Sequence, residues 1–135
     1  MAAVVAKKQR YLVVEIRSAA LESASSLVSF VRHKTAEALG GAGLGGLLAQ
    51  VRYFDDVANV AVVRVGRAAA AAFVRESAAR HGKAMHVAHV SGSMRTCRAS
   101  TLKEVRRRYK ALRIPADQQR ELLQRHEAAL RLICN

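Results

Sequence analysis

Arg10-Tyr11-Leu12-Val13-Val14-Glu15-Ile16-Arg17 is the stretch that decides the fold class. Alternation puts Tyr11, Val13 and Glu15 on one face of a strand and Leu12, Val14 and Ile16 on the other. Both faces are mostly apolar, so this strand is expected at the centre of a sheet covered on each side. Glu15 on a covered face then needs a partner, or lies near the strand's end. Outward from here, Asn59-Val60-Ala61-Val62-Val63-Arg64-Val65 repeats the pattern and reads as a second central strand. Leu47 to Phe54 and Val57 to Val65 form a hairpin joined at Asp55-Asp56 and closing near Asn59. Two adjacent acids are a weak metal signal and a good turn signal. Lys83 to Ser91 is the fourth strand, with Met85, Val87 and His89 alternating with His86, Ala88 and Val90.

The intervening segments are helical. Ser23 to Leu39 carries an apolar stripe through Leu27, Phe30, Val31, Lys34 and Ala38; Ser23, Ser25 or Ser26 caps it and Gly40-Gly41 ends it. Arg67 to Arg80 is a helix by propensity, its alanines giving a thin face for close packing, and Gly82 stops it. The order is strand, helix, strand, strand, helix, strand, then two helices. With right-handed crossovers this is an α+β fold, a ferredoxin-like split β-α-β sandwich on a four-stranded antiparallel sheet, with two extra C-terminal helices. Strands one and three are central, and two and four lie at the edges. The RNA-recognition motif shares this plan but stacks bases on sheet aromatics. Here the first strand offers Tyr11 and the third no aromatic. The terminal helices are therefore expected to cover the open face, leaving RNA to edges, loops and helix ends.

Charge concentrates after the fourth strand. The chain has 135 residues and a net charge of +13, which calls for a polyanionic partner. From Gly92 to Arg113 there are eight bases (Arg95, Arg98, Lys103, Arg106, Arg107, Arg108, Lys110, Arg113) against the single acid Glu104, or +7 of that total. The Gly92-Ser93 turn leads from a strand into this basic helix, where unpaired backbone N–H groups and the helix dipole suit a phosphate. Arg95 adds a two-pronged contact to the same anion. An ordinary Gly/Ser turn with solvated arginines fits the local pattern as well. In the helix, Leu102, Val105, Tyr109 and Leu112 form the apolar seam. Thr101 and Glu104 have capping-box spacing, which allows a break there, and Pro115 ends the helix. A last amphipathic helix from Asp117 to Ile133, with the stripe Leu122, Leu123, His126, Leu130 and Ile133, caps this domain or a partner.

Other chemistry finds little support. No apolar run nears the roughly 18 residues of a membrane span, and residues 1–8 read as a basic lead-in to a single domain over 1–135, not as a signal peptide. The glycine-rich Gly40 to Gly46 follows a helix, which fails the context of a dinucleotide fingerprint. His33 and His126 read as packed or solvated; His86 and His89, three apart in a strand, are expected on opposite faces. Cys97 and Cys134 match no metal spacing and read as free thiols. No nucleophile–base pair is evident, so catalytic and metal residues are expected to be none. An enzyme or small-molecule domain on this widely used fold is a weaker reading. The charge and fold would also suit a ribosomal protein or a pure assembly protein.

Three blocks together resemble a known family. Arg10 to Ile16, the hairpin from Val51-Arg52-Tyr53-Phe54 through Val65, and Val90-Ser91-Gly92-Ser93-Met94-Arg95-Thr96-Cys97 before a basic helix are similar, in order and spacing, to the Pop-five protein subunit of ribonuclease P and ribonuclease MRP. The resemblance runs from about Arg10 to Arg113, and the Gly-x-x-Arg-Thr-Cys turn looks eukaryotic. It implies a non-catalytic, RNA-binding subunit of an RNA-based endonuclease that removes the 5′ leader of precursor tRNA or cleaves precursor rRNA. The implied partners are the catalytic RNA, the thirty-kilodalton barrel-fold subunit, the particle's other subunits and nearby precursor tRNA. The implied location is the nucleus and nucleolus. No cofactor is expected on the protein itself, and Mg²⁺ is expected at the RNA active site. Carried over by motif, Arg10, Gly92, Ser93, Arg95, Thr96, Arg98, Lys103, Arg106, Arg107 and Lys110 are the expected RNA contacts.

Overall fold

The computed structural model describes residues 9–18, 21, 23–38, 49–67, 70–72, 74, 75 and 85–134, the side chains of 35–38 and 132–134 excepted. Its elements are β1 (Gln9–Ile16), α1 (Ala24–Ala38), β2 (Gln50–Asp55), β3 (Val60–Gly66), β4 (Met85–Ser91), α2 (Met94–Ala111) and α3 (Ala116–Cys134). Helical backbone also occurs at 67, 70–72, 74 and 75, within the expected second helix. The lead-in, the 40–46 loop, Gly82 and the expected strand starts at Leu47 and Lys83 lie outside the described residues.

The sheet order is β2-β3-β1-β4, antiparallel throughout, so the two doubly apolar strands are central and the ferredoxin-like plan holds. One face of β1 and β3 (Leu12, Val14, Ile16, Ala61, Val63, Val65) packs on Leu27 and Val31 of α1 and on Ala70. The other face (Val13, Val60, Val62), with Tyr53 of β2, packs on Cys97, Val105 and Tyr109 of α2 and Leu130 of α3. The C-terminal helices thus form a third layer, as the apolar second face requires. Each fully buried valine or leucine here contributes roughly 1.5–3 kcal/mol. The α3 stripe is consumed inside the domain: Leu122 and Leu123 pack on the same cluster as Leu130. The Ile133 side chain lies outside the described residues.

Local chemistry sets the boundaries. Ser23 is the cap of α1, its Oγ accepting from the Ser26 N–H at 3.1 Å. The third strand starts at Val60, not Val57, because residues 56–59 turn. The Asp55 carboxylate draws the turn tight: Oδ1 accepts the N–H groups of Val57 (2.9 Å) and Ala58 (3.1 Å). Asn59 closes it at φ 55°, a left-handed conformation that asparagine tolerates. No break interrupts α2 at Thr101. That residue is buried and its hydroxyl donates to the Cys97 carbonyl at 2.7 Å, while Glu104 is held by Arg107. The helix ends in a Schellman arrangement, Ile114 N–H to Tyr109 O and Arg113 N–H to Lys110 O, with Arg113 at φ 57°.

Two acids tie the third layer to the sheet. Asp55 is fully buried, and its Oδ2 accepts from Tyr109 Oη at 2.8 Å and faces His126 Nε2 at 3.2 Å. The His126 ring stands edge-on to Tyr53, centroids 5.5 Å apart. His126 is therefore a structural partner of a buried carboxylate, more than the packed surface histidine expected. Glu15 finds its partners in Arg107 Nη2 (3.1 Å), Arg17 Nε (3.6 Å) and Arg108 Nη1 (3.8 Å), and Arg108 Nε donates to the Ala58 carbonyl at 3.2 Å.

Asp55→Ala is expected to lower stability by about 3 kcal/mol or more in urea unfolding, since it strands donors from three elements. The Tyr53 hydroxyl is buried with no partner. Burial first, then the Asp55 charge, pushes the Tyr53 phenol far above its ordinary range, and burial and Asp55 do the same to Tyr109. Both phenols stay protonated in the fold, so stability is intact below the free phenol's pKa of about 10 and falls as pH rises beyond it. Tyr53→Phe should leave stability at pH 7 unchanged or raise it by up to about 1 kcal/mol. It should also flatten the alkaline decline of the melting temperature.

Candidate nucleic-acid interface

Two patches hold nine of the ten expected contacts, all but Arg98. The first is the corner where β4 meets α2. Ser91 Oγ donates to the Ser93 carbonyl at 2.9 Å, and Ser93, in extended backbone, caps α2. Its Oγ accepts the Thr96 N–H at 3.3 Å and donates to Thr96 Oγ1 at 3.1 Å. The cap thus takes one of the helix's first-turn donors for itself, and Thr96 is bound into the turn. Gly92 is exposed and needs no positive φ; a Cβ there would meet only Arg10 Nη1, at 3.9 Å. Arg10 comes from β1, its Nη1 donating to the Gln9 carbonyl at 2.9 Å. The register that pairs Tyr11 with Ser91 carries it to this corner. Arg95 stands exposed on the first turn.

The second patch is an open groove between α2 and the edge strand β4, with a volume of about 610 Å³. Lys103, Arg106, Arg107 and Lys110 line one wall with Ser100, and Val13, Ala88 and His89 form the other. The four bases share a side because residues three, four and seven apart on a helix coincide in angle. Arg98 projects about 130° away from Lys103 and Lys110 at 100° per residue, toward the apolar seam, and is half-buried. It joins neither patch.

The cations are not equivalent. Arg107 bonds Glu104 and reaches Glu15, and its hydrogen bond to Glu104 leads the effects that raise its guanidinium pKa further. Glu104, the one acid in the wall, is neutralised by this pairing. Lys103, Arg106 and Lys110 are exposed and pair with no acid among the described residues. A groove with three unpaired cations attracts phosphate chains, and each contact releases a counterion. Its shape depends on a bulge. Val13 pairs with His89 and Val14 with Val87, so Ala88 is an extra residue in β4. The bulge resets the alternation: His86, opposite Glu15, and His89, opposite Val13, lie on the same face, not on opposite faces as expected. Among the described residues no group of three His, Cys, Asp or Glu side chains converges on a metal site. Nor does any described helix have the length and apolarity to cross a membrane. Cys97 is a buried free thiol, and the Cys134 side chain lies outside the described residues.

The family model described as Rpp14/Pop5 matches residues 10–102 of the 135. The chain belongs to the Rpp14/Pop5 family. Its members are protein subunits of ribonuclease P, so this Rpp14/Pop5 chain is a ribonucleoprotein subunit by descent. No curated protein gives a significant match to it. The family span takes in the sheet from Arg10 onward and the corner, and ends one residue before Lys103, so the groove's cations lie beyond it. Sequence reasoning missed the opposite wall, Val13, Ala88 and His89, because only pairing register reveals a bulge.

The two neighbouring arginines should separate in experiment. Arg107→Ala removes the nearest partner of Glu15 and is expected to lower the unfolding midpoint in urea; Arg106→Ala is expected to leave it within about 0.5 kcal/mol of the parent.

Proposed function

We propose that this Rpp14/Pop5 chain is a non-catalytic RNA-binding subunit that stabilises the catalytic RNA of ribonuclease P, and of ribonuclease MRP, for removal of precursor tRNA 5′ leaders and for precursor rRNA processing. The observation that carries the reading is the groove in which Lys103, Arg106 and Lys110 stand unpaired beside an acid already neutralised by Arg107. The corner of Arg10, Ser93 and Arg95 lies at the N-terminal end of the same helix and extends the positive surface. Folded RNA packs phosphates closely, and cations on a rigid helix offset that repulsion.

The chemistry belongs to the RNA in this reading, with Mg²⁺ held by the RNA. The described residues offer no converging set of acids to hold the ion themselves. The apolar stripe of α3 is spent on this domain's own core, which favours RNA binding over docking through that stripe. The thirty-kilodalton barrel-fold subunit and the other subunits of the particle are the proposed protein partners, and the nucleus and nucleolus the proposed location.

RNA affinity of the purified protein should fall with salt. Arg95→Ala with Arg98→Ala tests the corner and the flank: if both touch phosphates, the log–log salt slope flattens by about two contacts. From the geometry, Lys103→Ala with Lys110→Ala should flatten it by about two contacts and Arg95→Ala with Arg98→Ala by about one, because Arg98 joins neither patch. An unchanged slope in both double variants would overturn the proposal.

A further inference from the structure

At the end of the sheet beneath the first turns of α2 stand two arginines that no acid answers. Tyr11 pairs with Arg64 in the row next to Val13 and Val62, on the same face of the sheet. Val13 and Val62 share a cluster with Cys97, and Tyr11, Met94 and Leu102 pack against it. Arg98 follows Cys97 and lies four residues from both Met94 and Leu102. It therefore borders this cluster from α2, as Arg64 borders it from β3.

Both side chains are half-buried, and among the described residues neither bonds an acid or any other polar group. Only Nε of Arg64 is shut off from solvent; the Nη groups of both residues remain accessible to a partner. A half-buried guanidinium is seldom left this way, because it has lost water without gaining a counter-charge. The phosphate track of the groove differs in kind. It presents Lys103, Arg106 and Lys110 as exposed heads, whereas this site mixes its two arginines with Tyr11, Met94 and Leu102. Tyrosine, methionine and arginine are enriched where protein meets protein, and lysine is depleted there. An RNA strand carries a charge at every nucleotide and would lay some of them on apolar side chains. A protein segment brings a single carboxylate between apolar neighbours, and a carboxylate accepts two parallel N–H groups from a guanidinium.

We infer that Tyr11, Arg64, Met94, Arg98 and Leu102 form a docking site for a neighbouring protein subunit, whose acidic side chain is held by the two arginines amid apolar contacts. The inference goes beyond the RNA-binding reading and rests on the chain sitting among other subunits. It also gives Arg98 a task that neither cationic patch does.

In the assembled, purified ribonucleoprotein, a Tyr11→p-benzoylphenylalanine chain should cross-link on irradiation to a peptide of another subunit that contains Asp or Glu, identified by mass spectrometry. Adding Arg64→Gln with Arg98→Gln should cut the yield of that adduct roughly tenfold, as loss of a partly desolvated ion pair does. The two glutamines alone should leave the salt slope of RNA binding unchanged, which keeps this outcome separate from that of the groove. Should the cross-linking chain fail to assemble, phenylglyoxal labelling of the unaltered chain decides. Arg64 and Arg98 should react in the isolated protein and with RNA alone, and be protected in the full particle. An adduct with RNA, an adduct with no other subunit, or a yield indifferent to the glutamines overturns the docking site. Protection by RNA alone, or reactivity in the full particle, does the same. A salt slope flattened by about two contacts overturns it as well and gives both arginines to phosphates.

Discussion

A buried carboxylate sets the position of everything that could touch a partner. Asp55 has no solvent exposure and gathers two turn amides, the Tyr109 hydroxyl and the His126 imidazole. Such a group survives inside a protein only when its lone pairs are filled, and here they are filled from three separate elements. Fixing Tyr109 fixes the rotation of α2, and at 100° per residue that rotation fixes where Lys103, Arg106 and Lys110 emerge. Glu15 reinforces the same placement through Arg107 and Arg108 from the middle of the sheet.

The charge run therefore has internal structure. Arg106, Arg107 and Arg108 are consecutive, yet they do different things. Arg106 faces the groove, Arg107 bridges Glu104 and Glu15, and Arg108 holds the Ala58 carbonyl of the hairpin turn. Periodicity alone does not divide them: Arg108 lies beside the buried seam, whereas Arg107 shares the groove wall with Arg106 and is set apart by Glu104 and Glu15 within its reach. Of the ten RNA contacts expected from the sequence, Arg107 is the one most committed to the fold itself.

Much of the architecture was legible. Valines on both faces of two strands announced their central position, and the bare second face announced that α2 and α3 must cover it. The turn at Asp55-Asp56 and the cap of α1 among its first serines followed from residue type. Other features were hidden for definite reasons. The burial of Asp55 depends on Tyr109 and His126, 54 and more positions away, and no local pattern encodes that distance. The capping-box spacing at Thr101 was overruled by a side chain bonding its own helix. The Ala88 bulge left the alternation of β4 looking regular, and with it hid which face His89 occupies.

The order of the layers along the chain also shapes how the molecule is made. The sheet's second apolar face is assembled from residues between 9 and 66, but its cover arrives only with residues 94–134. A ribosome adding about 5–20 residues per second leaves that face bare for seconds after the strands are synthesised. During that interval Val13, Val60 and Val62 are accessible to any hydrophobic surface nearby, including another emerging copy. Newborn chains are thus most vulnerable to misassociation before α2 is complete, and a chaperone that shields nascent β-sheet would find its substrate there.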